Sequence, residues 1–166
     1  MILARPDIDP NEAGWYGVTA LEYAISDGRI DLVQRLLQHP DIDPNLCYNQ
    51  GSVLDCLARN RPRDEEILSL LLHHPAIDSN AGIEERYGEM HGQTALFHFA
   101  EEGLFNMAAQ LLEHPLTDPN LPRQRDGKTP LQVAKEKGHD EVVQLLLSDP
   151  RINPDLVSEQ DGASCS

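Results

Sequence analysis

The sequence predicts an all-α solenoid of stacked helix pairs, and three observations carry that reading. Nine of the twelve prolines fall in one recurring hexapeptide: Pro6-Asp-Ile-Asp-Pro-Asn11, Pro40-Asp-Ile-Asp-Pro-Asn45, Pro75-Ala-Ile-Asp-Ser-Asn80, Pro115-Leu-Thr-Asp-Pro-Asn120 and Pro150-Arg-Ile-Asn-Pro-Asp155. The successive offsets are 34, 35, 40 and 35 residues, and a fixed period in this range marks a repeat architecture. Ahead of each hexapeptide lies an apolar stretch at helical spacing: Ile30, Leu32, Val33, Leu36 and Leu37, then Ile67, Leu68, Leu71 and Leu72, then Phe105, Met107, Leu111 and Leu112, and last Val142, Val143, Leu146 and Leu147. A second, shorter helix precedes each of these, and capping chemistry marks its start.

In the first and fourth units, Thr19-Ala-Leu-Glu22 and Thr129-Pro-Leu-Gln132 match the capping box, in which the Thr hydroxyl and the Glu or Gln side chain satisfy each other's orphan N–H groups. Pro130 sits where a helix start tolerates proline. Ser52-Val-Leu-Asp55 and Thr94-Ala-Leu-Phe97 are weaker versions. Gly28, Gly103 and Gly138, each nine residues after its Thr, end the first helix. The second unit has Arg61-Pro62 there instead, and Asp64 is placed to cap the next helix. Each second helix stops at His-Pro or Asp-Pro, because proline lacks the donor to continue and biases its predecessor away from the helix.

With these motifs in register the chain resembles the ankyrin-repeat family, whose T-P-L-H-x-A signature and period near 33 appear here as Thr19-Ala-Leu-Glu-Tyr-Ala24, Ser52-Val-Leu-Asp-Cys-Leu57, Thr94-Ala-Leu-Phe-His-Phe99 and Thr129-Pro-Leu-Gln-Val-Ala134. Gly138-His-Asp-Glu-Val-Val143 resembles the family's second-helix opening. Units 1 and 4 match well, and units 2 and 3 are degraded. Leu57 and Phe99 replace the small alanine where helices approach, so altered packing is expected there. The expected organisation is an ankyrin solenoid of about four helix-turn-helix units: 1–13 the close of a preceding or capping repeat, 14–45 repeat 1, 46–80 repeat 2, 81–120 repeat 3, 121–155 repeat 4, and 156–166 a truncated finger or tail. Both ends read as cut through a repeat, as in a segment of a longer protein or one whose end a partner covers.

Composition narrows the function. With 28 acidic against 13 basic side chains the formal charge is −15, which opposes binding to a phosphate backbone or an anionic membrane. Cys47, Cys56 and Cys165 are an odd number in no C-x-x-C spacing, so neither a disulfide framework nor a zinc ribbon is expected, and a reducing cytoplasmic compartment fits; for a secreted effector this is the host cytosol. Asp7-Ile-Asp9-Pro-Asn11 and Asp41-Ile-Asp43-Pro-Asn45 open like a calcium loop, yet the required Gly and Glu positions hold Glu12 and Val18, then Leu46 and Ser52. Local backbone bonds that tie the turn are the expected role. His39, His74 and His114 recur at one repeat position and read as last-turn residues facing the helix dipole, and His73-His74 alone does not make a zinc site. With no nucleophile elbow and no Gly-rich phosphate loop, neither catalysis nor a cofactor nor a small-molecule substrate is expected.

The remaining candidate is a binding face. In the ankyrin family, finger-like loops and the exposed ends of the first helices form a concave surface; carried over, this resemblance implies Trp15, Tyr16, Val18, Ser26 and Asp27 in unit 1 and Tyr48, Asn49, Gly51, Arg59 and Asn60 in unit 2. Unit 3 contributes Met90, His91, Gln93, Glu101 and Glu102, and unit 4 Arg125, Asp126, Lys128, Glu136 and Lys137. The sequence adds its own reason: the only Trp and three of four Tyr (Tyr16, Tyr48, Tyr87) lie in fingers, and loop aromatics make binding anchors. The third finger, 81–92, is longer than the others, as binding loops tend to be. Residues 1–120 carry a net −13, residues 121–139 a net +3, and 140–166 a net −5. With Glu84, Glu85, Glu89, Glu101 and Glu102 around the long finger, the expected partner is a protein with a basic segment. The expected function is non-catalytic protein recognition, with the targeting arm of a larger enzyme or secreted bacterial effector as the alternative.

Overall fold

The computed structural model describes residues 9–14, 16–47, 52–61, 63–82 and 93–153. They form eight helices in chain order: α1 (Ala20–Ser26), α2 (Ile30–Leu37), α3 (Val53–Asn60), α4 (Glu65–Leu72), α5 (Ala95–Glu101), α6 (Phe105–Glu113), α7 (Pro130–Lys137) and α8 (Asp140–Ser148). The odd helices stack α1 on α3 on α5 on α7, the even ones α2 on α4 on α6 on α8, and each odd helix packs on the even one that follows it. Among the described residues the only β pairing is an isolated bridge between Gly82 and Thr94. The predicted all-α repeat fold is the one observed.

The caps are where the sequence places them. Thr19 and Thr129 complete capping boxes with Glu22 and Gln132, Ser52 and Thr94 accept only the forward bond from Asp55 and Phe97 N–H, and Asp64 accepts from Ile67 N–H. Between the helices of a pair the chain reverses through Gly28 and Gly103, whose φ values of 69° and 68° suit glycine. Space demands glycine there as well. A Cβ on Gly28 would stand 2.8 Å from Cζ of Arg61, and one on Gly103 2.6 Å from Nδ1 of His139. Both side chains come from the following unit and donate to the last carbonyl of the preceding first helix: Arg61 Nε to Ser26 O at 3.2 Å, His139 Nε2 to Glu101 O at 3.0 Å.

One continuous apolar core runs the length of the stack. It holds Leu21, Ile25, Val33 and Leu36 in unit 1, Leu54, Leu57, Ile67, Leu68 and Leu71 in unit 2, Leu96, Phe97, Phe99, Met107 and Leu111 in unit 3, and Leu131, Val133, Val142 and Leu146 in unit 4. Leu57 and Phe99 are buried completely, and each such side chain contributes about 1.5–3 kcal/mol by leaving water.

The hexapeptides do more than turn the chain. Within each, an aspartate accepts the N–H two residues on: Asp9 from Asn11, Asp43 from Asn45, Asp78 from Asn80 and Asp118 from Asn120, all at 2.9 Å. That is the local tie expected from sequence. The asparagine then reaches into the next unit with both ends of its carboxamide. Asn11 Nδ2 donates to Asp41 O and its Oδ1 accepts from Asp43 N; Asn45 does the same with Ala76 O and Asp78 N. Asn80 bridges to Leu116 O and Asp118 N, and Asn120 to Arg151 O and Asn153 N, every distance lying between 2.7 and 2.8 Å. Four rungs therefore join five hexapeptides through backbone groups that stacking alone leaves unpaired.

The histidine reading needs correction. His39 Nδ1 accepts from Asp41 N at 3.2 Å and His74 Nδ1 from Ala76 N at 3.3 Å. The two rings therefore serve the turn as hydrogen-bond acceptors through Nδ1. Asp149 plays the same part for Arg151 N at 2.9 Å.

Candidate interaction face

The ends of the first helices form a row along the stack, fixed by the capping register that starts each helix. Asp27, Asn60, Glu102 and Lys137 occupy equivalent positions one residue before or at the reversal, and all four are exposed. One position earlier stand Ser26, Arg59, Glu101 and Glu136. Of these, Arg59 Nε lies 2.8 Å from Asp55 Oδ2 within α3, Asn60 donates to Cys56 O at 2.9 Å and to Ser26 Oγ at 3.3 Å, and Ser26, Glu136 and Asp27 remain exposed.

The described fingers are tight turns. In the first, Gly14 N donates to Val18 O and Gly17 N to Gly14 O, both at 2.9 Å. This lifts Tyr16 into solvent at 88% exposure and leaves Val18 half-buried. In the fourth, Arg123 N donates to Lys128 O and Gly127 N to Arg123 O, both at 2.8 Å. Arg125 is exposed at its tip.

Arg123, absent from the sequence-predicted set, organises this region. Its Nε and Nη2 hold the two oxygens of Asp126 at 3.1 and 2.6 Å, its Nη1 lies 3.5 Å from Glu101 Oε1, and its guanidinium stands 4.5 Å above the Phe97 ring. The Arg123 hydrogen bonds hold Asp126 below the usual carboxylate range. Lys128 Nζ pairs with Glu136 Oε2 at 2.7 Å. The basic stretch is therefore partly neutralised at home, leaving Arg125, Lys135 and Lys137 as its exposed cations. An Arg three residues before an Asp-Gly turn was the sequence signal for Arg123.

Gln93 is buried at 6% exposure. Its Nε2 lies 3.4 Å from both His98 Nδ1 and Glu101 Oε2, so it braces the base of the third finger. Burial pushes the His98 ring below its ordinary pKa. Trp15, Tyr48, Asn49, Gly51, Tyr87, Met90 and His91, together with Glu84, Glu85 and Glu89, lie outside the described residues. The structure thus brings Tyr16, Asp27, Asn60, Arg59, Glu102, Arg125 and Lys137 onto accessible surface, and assigns Gln93, Glu101, Asp126 and Lys128 to bonds within the scaffold.

Chemically, the described surface offers hydrogen-bonding and charged groups at a repeating spacing, with the exposed aromatic rings of Tyr16 and Tyr23. Among the described residues no group of three or more His, Cys, Asp or Glu is placed to hold a metal ion, and no helix is long and apolar enough to cross a membrane.

Two profiles of known families match the chain. One, described as ankyrin repeats in three copies, matches residues 56–157, and another, ankyrin repeats in many copies, matches residues 21–72. Among curated proteins, an ankyrin repeat-containing protein, ITN1 of Arabidopsis thaliana, is 26% identical over 134 residues, covering 81% of this chain and 19% of that protein. The chain therefore spans about a fifth of the length of this relative.

Proposed function

Since the chain belongs to the ankyrin-repeat family, whose repeats are generally protein–protein interaction modules and typically non-catalytic, we propose that it captures a protein or peptide partner on the face made by its fingers and first-helix ends. The observation that carries this reading is the row Asp27, Asn60, Glu102 and Lys137: one exposed polar side chain per unit, at one register, beside the 88%-exposed Tyr16. A large aromatic so exposed contributes nothing to the core, whereas on binding it buries extensive surface at low entropic cost.

The partner presents a basic segment to the third unit. Glu102 is exposed there, and Glu84, Glu85 and Glu89 are close to it in sequence. Glu101 contributes less, because Arg123 already compensates it. The free thiols of Cys47 and Cys56 fit work in the cytoplasm. A second reading makes the same face the targeting arm of a longer protein, favoured by the 19% coverage of the plant relative.

The test is capture of a partner from native cytosol followed by kinetics with the purified pair. Replacing Trp15, Tyr48 and Tyr87 together by Ala is expected to weaken capture by at least about tenfold, a loss typical of hot-spot aromatics, with helical circular dichroism retained. Tyr16→Ala and Glu102→Lys are expected to weaken it separately, and association is expected to slow as salt rises. Undiminished capture by the triple variant refutes the face; an association rate indifferent to ionic strength refutes the basic partner.

A further inference from the structure

Cys47 and Cys56 stand on either side of the second finger in sequence, and neither position is cysteine in the other units: Ala13, Gly82 and Pro122 correspond to Cys47, and Tyr23, His98 and Val133 to Cys56. The fold nonetheless brings both sulfurs to one residue. Cys47 Sγ donates to Glu22 Oε1 at 2.9 Å, and Cys56 Sγ lies 3.9 Å from the backbone oxygen of the same Glu22. Each thiol also shifts the titration of the other. Ser26 Oγ and Asn60 Nδ2 each approach Cys56 Sγ to 3.4 Å.

We propose that Cys47 and Cys56 are a redox modification site, a dithiol that a small peroxide converts to a reversible intramolecular disulfide closing the chain across residues 47–56.

The roles of the two sulfurs differ. Two groups able to donate, the Ser26 hydroxyl and the Asn60 amide, converge on Cys56 Sγ, whereas the single Cys47 proton is held by Glu22 Oε1. The neighbouring Cys47, with help from Ser26 and Asn60, draws the Cys56 pKa down against the opposing effect of burial. Cys47 moves the other way: the neighbouring Cys56, then burial, then the Glu22 carboxylate, push its thiol up. With donors from Ser26 and Asn60 in place to hold a thiolate, Cys56 is the nucleophile, and Cys47, whose proton Glu22 Oε1 holds, is the resolving thiol. Cys56 is 1% exposed while Cys47 is half-buried, which favours an oxidant as small as hydrogen peroxide arriving from the Cys47 side.

The steps balance. The Cys56 thiolate attacks one peroxide oxygen, an S–O bond forms, the O–O bond breaks, and the departing hydroxide takes a proton to leave as water. The sulfur of Cys47 then attacks the Cys56 sulfenic sulfur as its own proton passes to the leaving oxygen; the S–S bond forms, the S–O bond breaks, and a second water departs. Two thiols lose two electrons and one peroxide gains them. The product removes the Cys47 donor from Glu22, whose Oε2 still accepts from Thr19 N–H at 2.8 Å, so the first unit keeps its capping box.

The experiment treats the full chain, carrying Cys165→Ser to remove the third thiol, with hydrogen peroxide, then blocks free thiols by alkylation and measures intact and peptide masses. The expected product is lighter by two hydrogens, unalkylated at both cysteines, linked between the Cys47 and Cys56 peptides, and restored by dithiothreitol. Cys47→Ser is expected to stop at a sulfenic acid on Cys56 that dimedone traps; Cys56→Ser is expected to yield far less adduct. Circular dichroism of each variant establishes that it is folded. Two alkylated thiols after peroxide exposure that fully oxidises the urea-unfolded chain, or equal dimedone trapping in the two single variants, overturns the proposal.

Discussion

Units 2 and 4 build the same helix pair with different completeness. Unit 4 closes its capping box with Gln132, reverses through a left-handed glycine and carries proline at the first helical position. Unit 2 has Asp55 where Gln132 stands, one methylene shorter, and the reciprocal bond to the N-cap is not made. The carboxylate is buried, Oδ1 has no donor among the described residues, and Arg59 Nε lies 2.8 Å from Oδ2 without aligning its N–H on it. Unit 2 also has Ser79 where the other hexapeptides hold Pro10, Pro44, Pro119 and Pro154, and the buried Ser79 hydroxyl finds no partner among the described residues. Yet unit 2 is stacked as fully as unit 4, with Val53 through Ala58 buried along α3. Local signals can therefore decay inside a repeat array while core contacts with both neighbours, and the asparagine rungs, hold the register.

The largest test of that contrast removes a rung. Asn80→Ala deletes the bonds to Leu116 O and Asp118 N and returns both backbone groups to water, so a loss of about 2 kcal/mol is expected, about 1 for each bond, read from the urea midpoint and from faster hydrogen exchange at Asp118 N–H. An unchanged midpoint would place the register in side-chain packing alone.

Asp55→Gln comes next. Burial raises the Asp55 pKa to about 6 from an ordinary 3.8. A folded-state pKa above the unfolded one means that ionised Asp55 opposes folding above pH 6, and the opposition fades as pH falls from 6 towards 4. Glutamine restores the reach that Gln132 has and removes the charge. We expect the variant to be more stable than the native chain by about 2 kcal/mol at pH 7.5, the order set by the size of the shift. The gap should narrow at pH 4.5; a gap of equal size at both pH values assigns the gain to the cap alone.

The smallest effect is expected from Ser79→Pro. All four other hexapeptides carry proline at this place, so the substitution should stabilise by about 0.5–1 kcal/mol through the unfolded chain, plus the relief of the buried hydroxyl. A lower thermal midpoint would show that unit 2 bends its turn away from its neighbours.

What the sequence made legible was whatever depends on near neighbours in the chain. Caps at Thr19, Ser52, Asp64, Thr94 and Thr129, the reversal glycines and the apolar faces all lie within a few residues of their causes. The asparagine rungs were legible only as turn residues, because each partner is 30 or more residues away. The same distance hid Arg61 and His139 as caps on the preceding unit, and the meeting of Cys47 with Glu22. At the candidate face, exposure of Tyr16, Asp27 and Glu102 followed from register, whereas the compensation of Glu101 depended on Arg123, whose contacts with Glu101 and Phe97 cross from one unit to another.

The rungs also separate two properties that a stacked protein must otherwise trade against each other. Each asparagine grips only main-chain atoms of the next hexapeptide, so it is blind to whether Asp41, Ala76, Leu116 or Arg151 stands there. Nor does it register how much chain intervenes. The interval between hexapeptides stretches from 35 to 40 residues across the third unit, while the carboxamide distances stay at 2.7–2.8 Å. The pitch of the stack is set along the edge where the hexapeptides lie. Fingers can thus lengthen, shorten or change chemistry as a recognition surface diverges, without the architecture beneath them having to be retuned.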